Sequence, residues 1–144
     1  MGSRFLGLEE LDTTEALRAF DTNALGALRV VRALLAPLRA ARGKIVLLTS
    51  RMGSIGDNTQ GRAYPYRMSK AALDMAGKNL ALELAPDGVA CVLVHPGWVR
   101  TDLGGPKAPL DADTAAAQIV ALSDAITMEH TGRFLGPGGE EIPW

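Results

Sequence analysis

The sequence has 144 residues, 47% of them apolar and 22% charged, with a formal net charge of −1. That length and balance suit one globular domain with a buried core. The charge leaves no basic field for nucleic acid or an anionic membrane, and no apolar run approaches the roughly 18 residues of a membrane span. The opening stretch 1–7 lacks the apolar segment and cleavage site of a signal peptide. A single cysteine, Cys91, excludes an internal disulfide and suits a reducing compartment, so a cytoplasmic location is expected. Cys91 sits within the apolar run 89–94 and reads as a small core residue.

Asp12-Thr13-Thr14-Glu15 has the form of a capping box. Leu17, Phe20, Ala24, Leu28, Val31, Leu35 and Leu38 come after it at spacings of three and four, which predicts one apolar face of a long helix. Pro37 should kink or thin its last turns, and Gly43 should end it. The continuous apolar run 44–49 predicts a buried parallel strand. Residues 50–65, rich in Gly, Ser, Asn and Asp, predict a loop. Pro65 suits a first helical turn, so a helix is expected over 66–84, packing closely through the small face around Ala71, Ala72, Met75, Ala76 and Leu80. A second buried strand is expected over 89–95, closed by Pro96-Gly97, then a loop over 98–109. A helix beginning near Asp111 or Asp113 and running through Ile126 comes next. A short strand, Arg133-Phe-Leu, a turn at 136–139 and a tail complete the chain. The order helix, strand, helix, strand, helix, strand predicts an α/β fold, part of a doubly wound parallel sheet with helices on both faces. Its site should lie at the carboxyl ends of the strands.

The informative motif is Tyr66-Arg-Met-Ser-Lys70. Residues four apart share a helix face, so the phenol of Tyr66 and the ammonium of Lys70 can converge. A tyrosine phenol is protonated near neutrality and a neighbouring cation favours its phenolate, which suits the pair to general acid/base work. Ser50 directly follows the strand 44–49, so its hydroxyl and the Tyr66 phenol could hold one carbonyl oxygen. Ser54 competes for that role. Pro96-Gly97 would let the backbone pass close to a flat ligand, with Thr101 and the amides around Val99 able to bond a carboxamide. His95 is expected to be structural, its ring bonded to backbone. Asn23 is a polar residue inside the first helix that could donate to a strand carbonyl or hold a water. No metal ligands are expected.

Together Asn23, Ser50, Tyr66-x-x-x-Lys70 and Pro96-Gly97 with Thr101 resemble the short-chain dehydrogenase/reductase family. The strings Thr49-Ser-Arg-Met-Gly-Ser-Ile-Gly, Tyr64-Pro-Tyr-Arg-Met-Ser-Lys70 and His95-Pro-Gly-Trp-Val-Arg-Thr-Asp-Leu-Gly-Gly105 are similar to its C-factor/sniffer-like carbonyl reductase branch. So are Gly132-Arg-Phe-Leu and the ending Ile142-Pro-Trp144. The resemblance implies hydride transfer between a nicotinamide, NADP or NAD with NADP favoured, and a small carbonyl or alcohol substrate. By that resemblance Tyr66 gives the proton and Ser50 orients the oxygen. Lys70 holds the nicotinamide ribose, and Asn23 supports a relay water. Pro96, Gly97, Val99 and Thr101 face the nicotinamide, with Tyr66 and Lys70 also touching the cofactor.

The family's opening turn, T-G-x-x-x-G-x-G, has no match here; Gly2 and Gly7 precede no suitable phosphate-binding helix. Residues 1–144 are therefore expected to form a single partial domain without the N-terminal dinucleotide-binding half. The strand 44–49 should then present an open apolar edge. A homo-oligomer through the long helices, or a partner completing the sheet, is the expected assembly. The competing reading is a non-catalytic binding or signalling module on the same fold. A hydrolase using Ser50 with His95 lacks an acidic orienter and a G-x-S-x-G elbow.

Overall fold

The computed structural model describes residues 6–144, so Gly2 and the first residues of the opening stretch lie outside the described part. Asp12 caps α1 (Thr13–Phe20), its Oδ1 accepting from the amides of Thr14 at 2.8 Å and Glu15 at 3.3 Å. The rod continues through a π-helical turn, Asp21–Leu25, into α2 (Gly26–Ala33) and α3 (Leu35–Ala41). The predicted single helix is thus interrupted twice. A π turn inserts an extra residue and rotates the helix before it relative to the helix after it. Ala24 and Val31 are buried as expected, whereas Leu17 and Phe20 are 70% and 41% exposed. The second break falls at Leu34 (φ −99°, ψ 8°), just ahead of Pro37. A proline ring crowds the carbonyl four residues earlier and carries no amide, so the turn before it opens.

The helix α4 (Tyr64–Leu84) starts two residues earlier than the sequence predicts, with Pro65 in its first turn. It buries Ser69, Leu73, Asp74, Gly77, Ala81 and Leu84; of the expected small face, Ala72 and Leu80 pack half-buried against the core, whereas Met75 is 63% exposed. The close crossing is made by a glycine instead. A Cβ on Gly77 would stand 2.9 Å from the side chains of both Leu47 and Leu93.

Three parallel strands, β1 (Lys44–Leu48), β2 (Ala90–Val94) and β3 (Phe134–Leu135), form a sheet in that order. The five residues of β2 are all buried, as a strand covered on both faces requires. On one face Ile45, Leu47, Cys91 and Leu93 pack with Leu73, Ala81 and Leu84 of α4 and with Ala24 and Val31. On the other, Ala90, Val92 and Val94 pack with Ile126 and Leu122. Cys91 is a core residue there: its apolar surroundings push the thiol up to about 12.

The helix α5 (Ala112–Ala125) covers that second face. Asp111 caps it, accepting from the Thr114 amide at 2.8 Å. At its other end the Lys44 ammonium donates to the Ser123 and Asp124 carbonyls at 3.1 and 2.9 Å. Among the described residues β1 pairs only with β2, so its outer edge is open, and Leu48 beside it is 48% exposed. No helix of the described residues is long and apolar enough to cross a membrane.

Candidate active site

A cavity of about 640 Å³ opens beyond the carboxyl ends of β1 and β2, where the fold predicts a ligand. Ser50, Tyr66, Pro96, Gly97, Val99 and Thr101 all line it, so six of the expected site residues share one wall system. The opposite wall is apolar, built from Ala112, Ala115, Ala116 and Ile119 of α5 together with Met52 and Leu103.

Ser50 leaves β1 in extended conformation and starts a 3-10 turn, Arg51–Gly53. Its Oγ accepts from the Met52 amide at 3.2 Å, which leaves the hydroxyl hydrogen free for a guest in the cavity. Ser54, the competitor, is committed elsewhere. Its Oγ donates to the Pro143 carbonyl at 2.5 Å and accepts from the Asp57 amide at 3.0 Å. With the Gly56 amide on the Trp144 carbonyl at 2.7 Å, Ser54 latches the loop to the tail.

Tyr66 is aimed by an unusual turn. Gly61, Arg62 and Ala63 take φ of 64°, 58° and 52°, three left-handed residues in succession immediately before α4. For the two non-glycines this costs roughly 1 to 2 kcal/mol each. The buried Ala63 side chain, and its amide on the Leu6 carbonyl at 3.1 Å, hold the turn in place.

One helical turn on, Lys70 donates through Nζ to the Leu48 carbonyl at 3.0 Å and lies 5.9 Å from the centre of the Tyr66 ring. Burial holds its amine below the ordinary lysine value, with the charge of Asp74 opposing. Asn23 lies in the π turn. Its Nδ2 donates at 2.9 Å to Ser69 Oγ, which in turn donates to the Tyr66 carbonyl at 2.8 Å. Of the two partners expected for Asn23, a strand carbonyl or a water, the first is not used: its amide bonds a hydroxyl of α4, the helix beside which the rod runs.

His95 departs from expectation. The β2–β3 pairing takes its backbone amide to the Leu135 carbonyl at 2.8 Å, while its ring lines the cavity with a buried, unpartnered Nδ1. Burial lowers its ring pKa; the nearby Arg51 charge acts the same way and Glu140 opposes. The hydrolase arrangement gains nothing from this, since the His95 Nδ1 makes no bond to Ser50 Oγ.

Pro96-Gly97 turns the chain with Gly97 at φ 86°, where a Cβ would stand close to the Leu110 side chain. The loop beyond is self-closed. Thr101 Oγ1 accepts from the Gly104 amide at 3.2 Å, and Trp98 Nε1 donates to the Gly104 carbonyl at 2.8 Å. Thr101 keeps a hydroxyl hydrogen to donate, and the neighbouring His95 Nδ1 is unsatisfied. A flat amide-bearing ring fits the combination of an apolar cavity floor and these two polar groups. Two residues of the site region escape the motif reading, Thr49 and Asp74. Both are buried with side-chain oxygens that make no hydrogen bond among the described residues. The spacing Tyr66, Lys70, Asp74 was a visible signal, because it extends one helix face by another turn.

Comparison with known proteins bears on the family and the fold. Residues 4–134 match the family model described as Enoyl-(Acyl carrier protein) reductase, a short-chain dehydrogenase/reductase model. The chain is 47% identical over 138 residues to C-signal of Myxococcus xanthus, covering 95% of this chain and 83% of that protein. Among solved structures, carbonyl reductase Sniffer of D. melanogaster superposes with a TM-score of 0.95 at 33% identity, covering all of this chain and 63% of that one. The NADPH-bound carbonyl reductase from chicken fatty liver gives a TM-score of 0.91 at 27% identity, covering 99% of this chain and 62% of that one. The chain thus spans less than two thirds of the length of either reductase.

Proposed function

The chain belongs to the short-chain dehydrogenase/reductase family, an oxidoreductase family, and we propose that it carries the carbonyl-activating half of an NAD(P)-dependent reductase or dehydrogenase. The observation that carries this reading is the shared cavity. It sets the Ser50 hydroxyl and the Tyr66 phenol against the Pro96-Gly97 turn, with Lys70 one helical turn behind the phenol.

A nicotinamide bound here would supply the hydride in reduction and take it in oxidation. Thr101 and the backbone at Val99 would hold its carboxamide, Pro96 and Gly97 its flat face, and Lys70 its ribose hydroxyls. Ser50 donates a hydrogen bond to the substrate oxygen and fixes its position. Tyr66 passes the proton to that oxygen in reduction and removes it in oxidation. The charge of Lys70 favours the phenolate in the second case. Asn23, through Ser69, holds the first turn of α4 and supports the water that resupplies the proton. NADP is the favoured cofactor, by analogy with the NADPH-bound chicken reductase. The apolar α5 wall suits a small carbonyl or alcohol with a hydrocarbon body. The exposed Leu17, Val30, Met68, Met75 and Leu82 suit a homo-oligomer through the long helices, and the open β1 edge suits a partner that completes the sheet. The single buried thiol accords with a cytoplasmic setting.

A binding or signalling role is the second reading. It draws on C-signal, of which the chain covers 83%, a larger share than of the two reductases.

Titrating NADPH and NADH into the purified chain by fluorescence, with Lys70→Ala as control, tests the first reading. Saturable binding that Lys70→Ala abolishes is expected. Reduction of small aldehydes and ketones should then fall by orders of magnitude in Tyr66→Phe. Absence of binding up to millimolar cofactor would overturn a self-sufficient enzyme, and a biological effect that survives Tyr66→Phe would establish the second reading.

A further inference from the structure

Asp74 comes four residues after Lys70, as Lys70 comes four after Tyr66, so the three stack along one face of α4. The Asp74 side chain is buried at 4% exposure, and neither carboxyl oxygen makes a hydrogen bond among the described residues. The Thr49 hydroxyl is near enough to favour the carboxylate without meeting hydrogen-bond geometry. The turn after Ser50 closes over the carboxyl. A Cβ on Gly53 would collide with Asp74 Oδ2 and stand 2.9 Å from the Lys70 carbonyl carbon, so only a glycine seats there. Burying a carboxyl without hydrogen bonds is costly, and an apolar residue would continue the buried stripe of α4 at no such cost. The carboxyl therefore calls for a charge to answer it.

The other charges on the packed elements are engaged or distant. Arg51, on the covering turn, pairs with Asp57 at 3.6 Å. Arg67 of α4 donates to the Gly61 and Met52 carbonyls, and Lys78, one turn below Asp74, donates to the Gly132 carbonyl. In the π turn Asp21 is paired with Arg29, and at the far end of α4 Asp87 is paired with Arg39. On α1 Arg18 is exposed and Glu15 is half-buried near the Asp12 cap, β2 contributes only Cys91 and apolar side chains, and Lys44 of β1 is bound to the carbonyls closing α5. Lys70 remains as the group whose charge Asp74 offsets.

We propose that Asp74 is a positioning residue for Lys70: its carboxylate keeps the buried amine charged and seated on the Leu48 carbonyl, beneath Tyr66. This rests on the role given to Lys70 above, and it adds a third member to the helix face that carries the proposed chemistry. Burial drives the two groups in opposite directions, Lys70 down and Asp74 up to about 6. Above that pH the carboxylate is present, and each charge offsets part of the other's burial.

The test reads the amine directly, in the full chain without cofactor. The four lysines, Lys44, Lys70, Lys78 and Lys107, are followed by carbon-13 NMR of their ε-carbons against pH, with Lys70→Arg to assign the resonance. Asp74→Asn should lower the Lys70 midpoint by about one pH unit or more, as loss of a neighbouring opposite charge does. The other three lysines should stay in place, and Asp74→Glu should recover most of the shift. A folded Asp74→Asn chain with Lys70 unmoved overturns the proposal. Should that variant not fold, the parent chain still decides: its Lys70 ε-carbon should show a step near pH 6 as Asp74 ionises, and a flat trace there overturns the proposal equally. Cofactor binding plays no part in this readout, so failure of the reductase reading and failure of the Asp74 role give different results.

Discussion

Asn23 and Ser69, 46 residues apart in sequence, meet in a hydrogen bond of 2.9 Å that ties the π turn to the first turns of α4. Ser69 passes the connection to the Tyr66 carbonyl, so the segment that aims the phenol is braced from the neighbouring rod. Ser69 is 1% exposed, and removing one partner of a buried hydrogen bond leaves the other unsatisfied. Ser69→Ala should therefore lower stability by about 1 to 2 kcal/mol in urea denaturation. In a double-mutant cycle with Asn23→Ala, a coupling of at least about 0.5 kcal/mol is expected; strict additivity would show that the bond does not brace the helix.

Stability should depend on pH through Asp74. Its folded carboxyl titrates at about 6, raised chiefly by burial from an ordinary value of 3.8. Between those values the folded chain binds the proton more tightly than the unfolded one, so this contribution is fully present below the ordinary value. It is lost as the pH rises through about 6, and the loss amounts to at most about 3 kcal/mol. The lowered His95 works in the opposite sense below its ordinary value, because protonation there favours the unfolded chain. The difference between parent and Asp74→Asn isolates the carboxyl. Urea midpoints at about pH 4, 5, 6 and 7 should show the variant gaining on the parent as the pH rises, and a constant difference would contradict the assignment.

The crossing of α4 over the sheet depends on Gly77. Its missing Cβ leaves the 2.9 Å approach to Leu47 and Leu93 open, and both leucines are buried. Gly77→Ala gains helix propensity but overpacks the core, which costs typically about 1 to 3 kcal/mol. A net loss in thermal midpoint is expected. An unchanged or higher midpoint would mean that the helix can move away without penalty.

The sequence alone determined the element order and the chemistry-bearing spacing. The unbroken apolar runs around Val46 and Val92 suited parallel strands; the second is buried along its whole length, whereas the first is an edge strand with Lys44 and Leu48 exposed at its ends. Asp12 and Asp111 announced two helix starts through short-range capping, which depends on neighbours in sequence. Tyr66 and Lys70 converge because four residues span about one helical turn. Periodicity could not reveal the π turn, whose extra residue exposes Leu17 and Phe20 and points Asn23 at Ser69. Ser50 stood out over Ser54 by its place at the strand end, and what folding adds is the capture of Ser54 by the tail through the Pro143 carbonyl. The unpartnered ring nitrogen of His95, for which a structural bond was expected, and the buried carboxyl of Asp74, which drew no reading at all, were not legible in one dimension. Each is a polar residue in an apolar neighbourhood, and whether its polar atoms find partners depends on what folds against them. Local hydrogen bonds and periods are written in adjacent residues, whereas the satisfaction of a buried polar atom is settled only where distant segments pack.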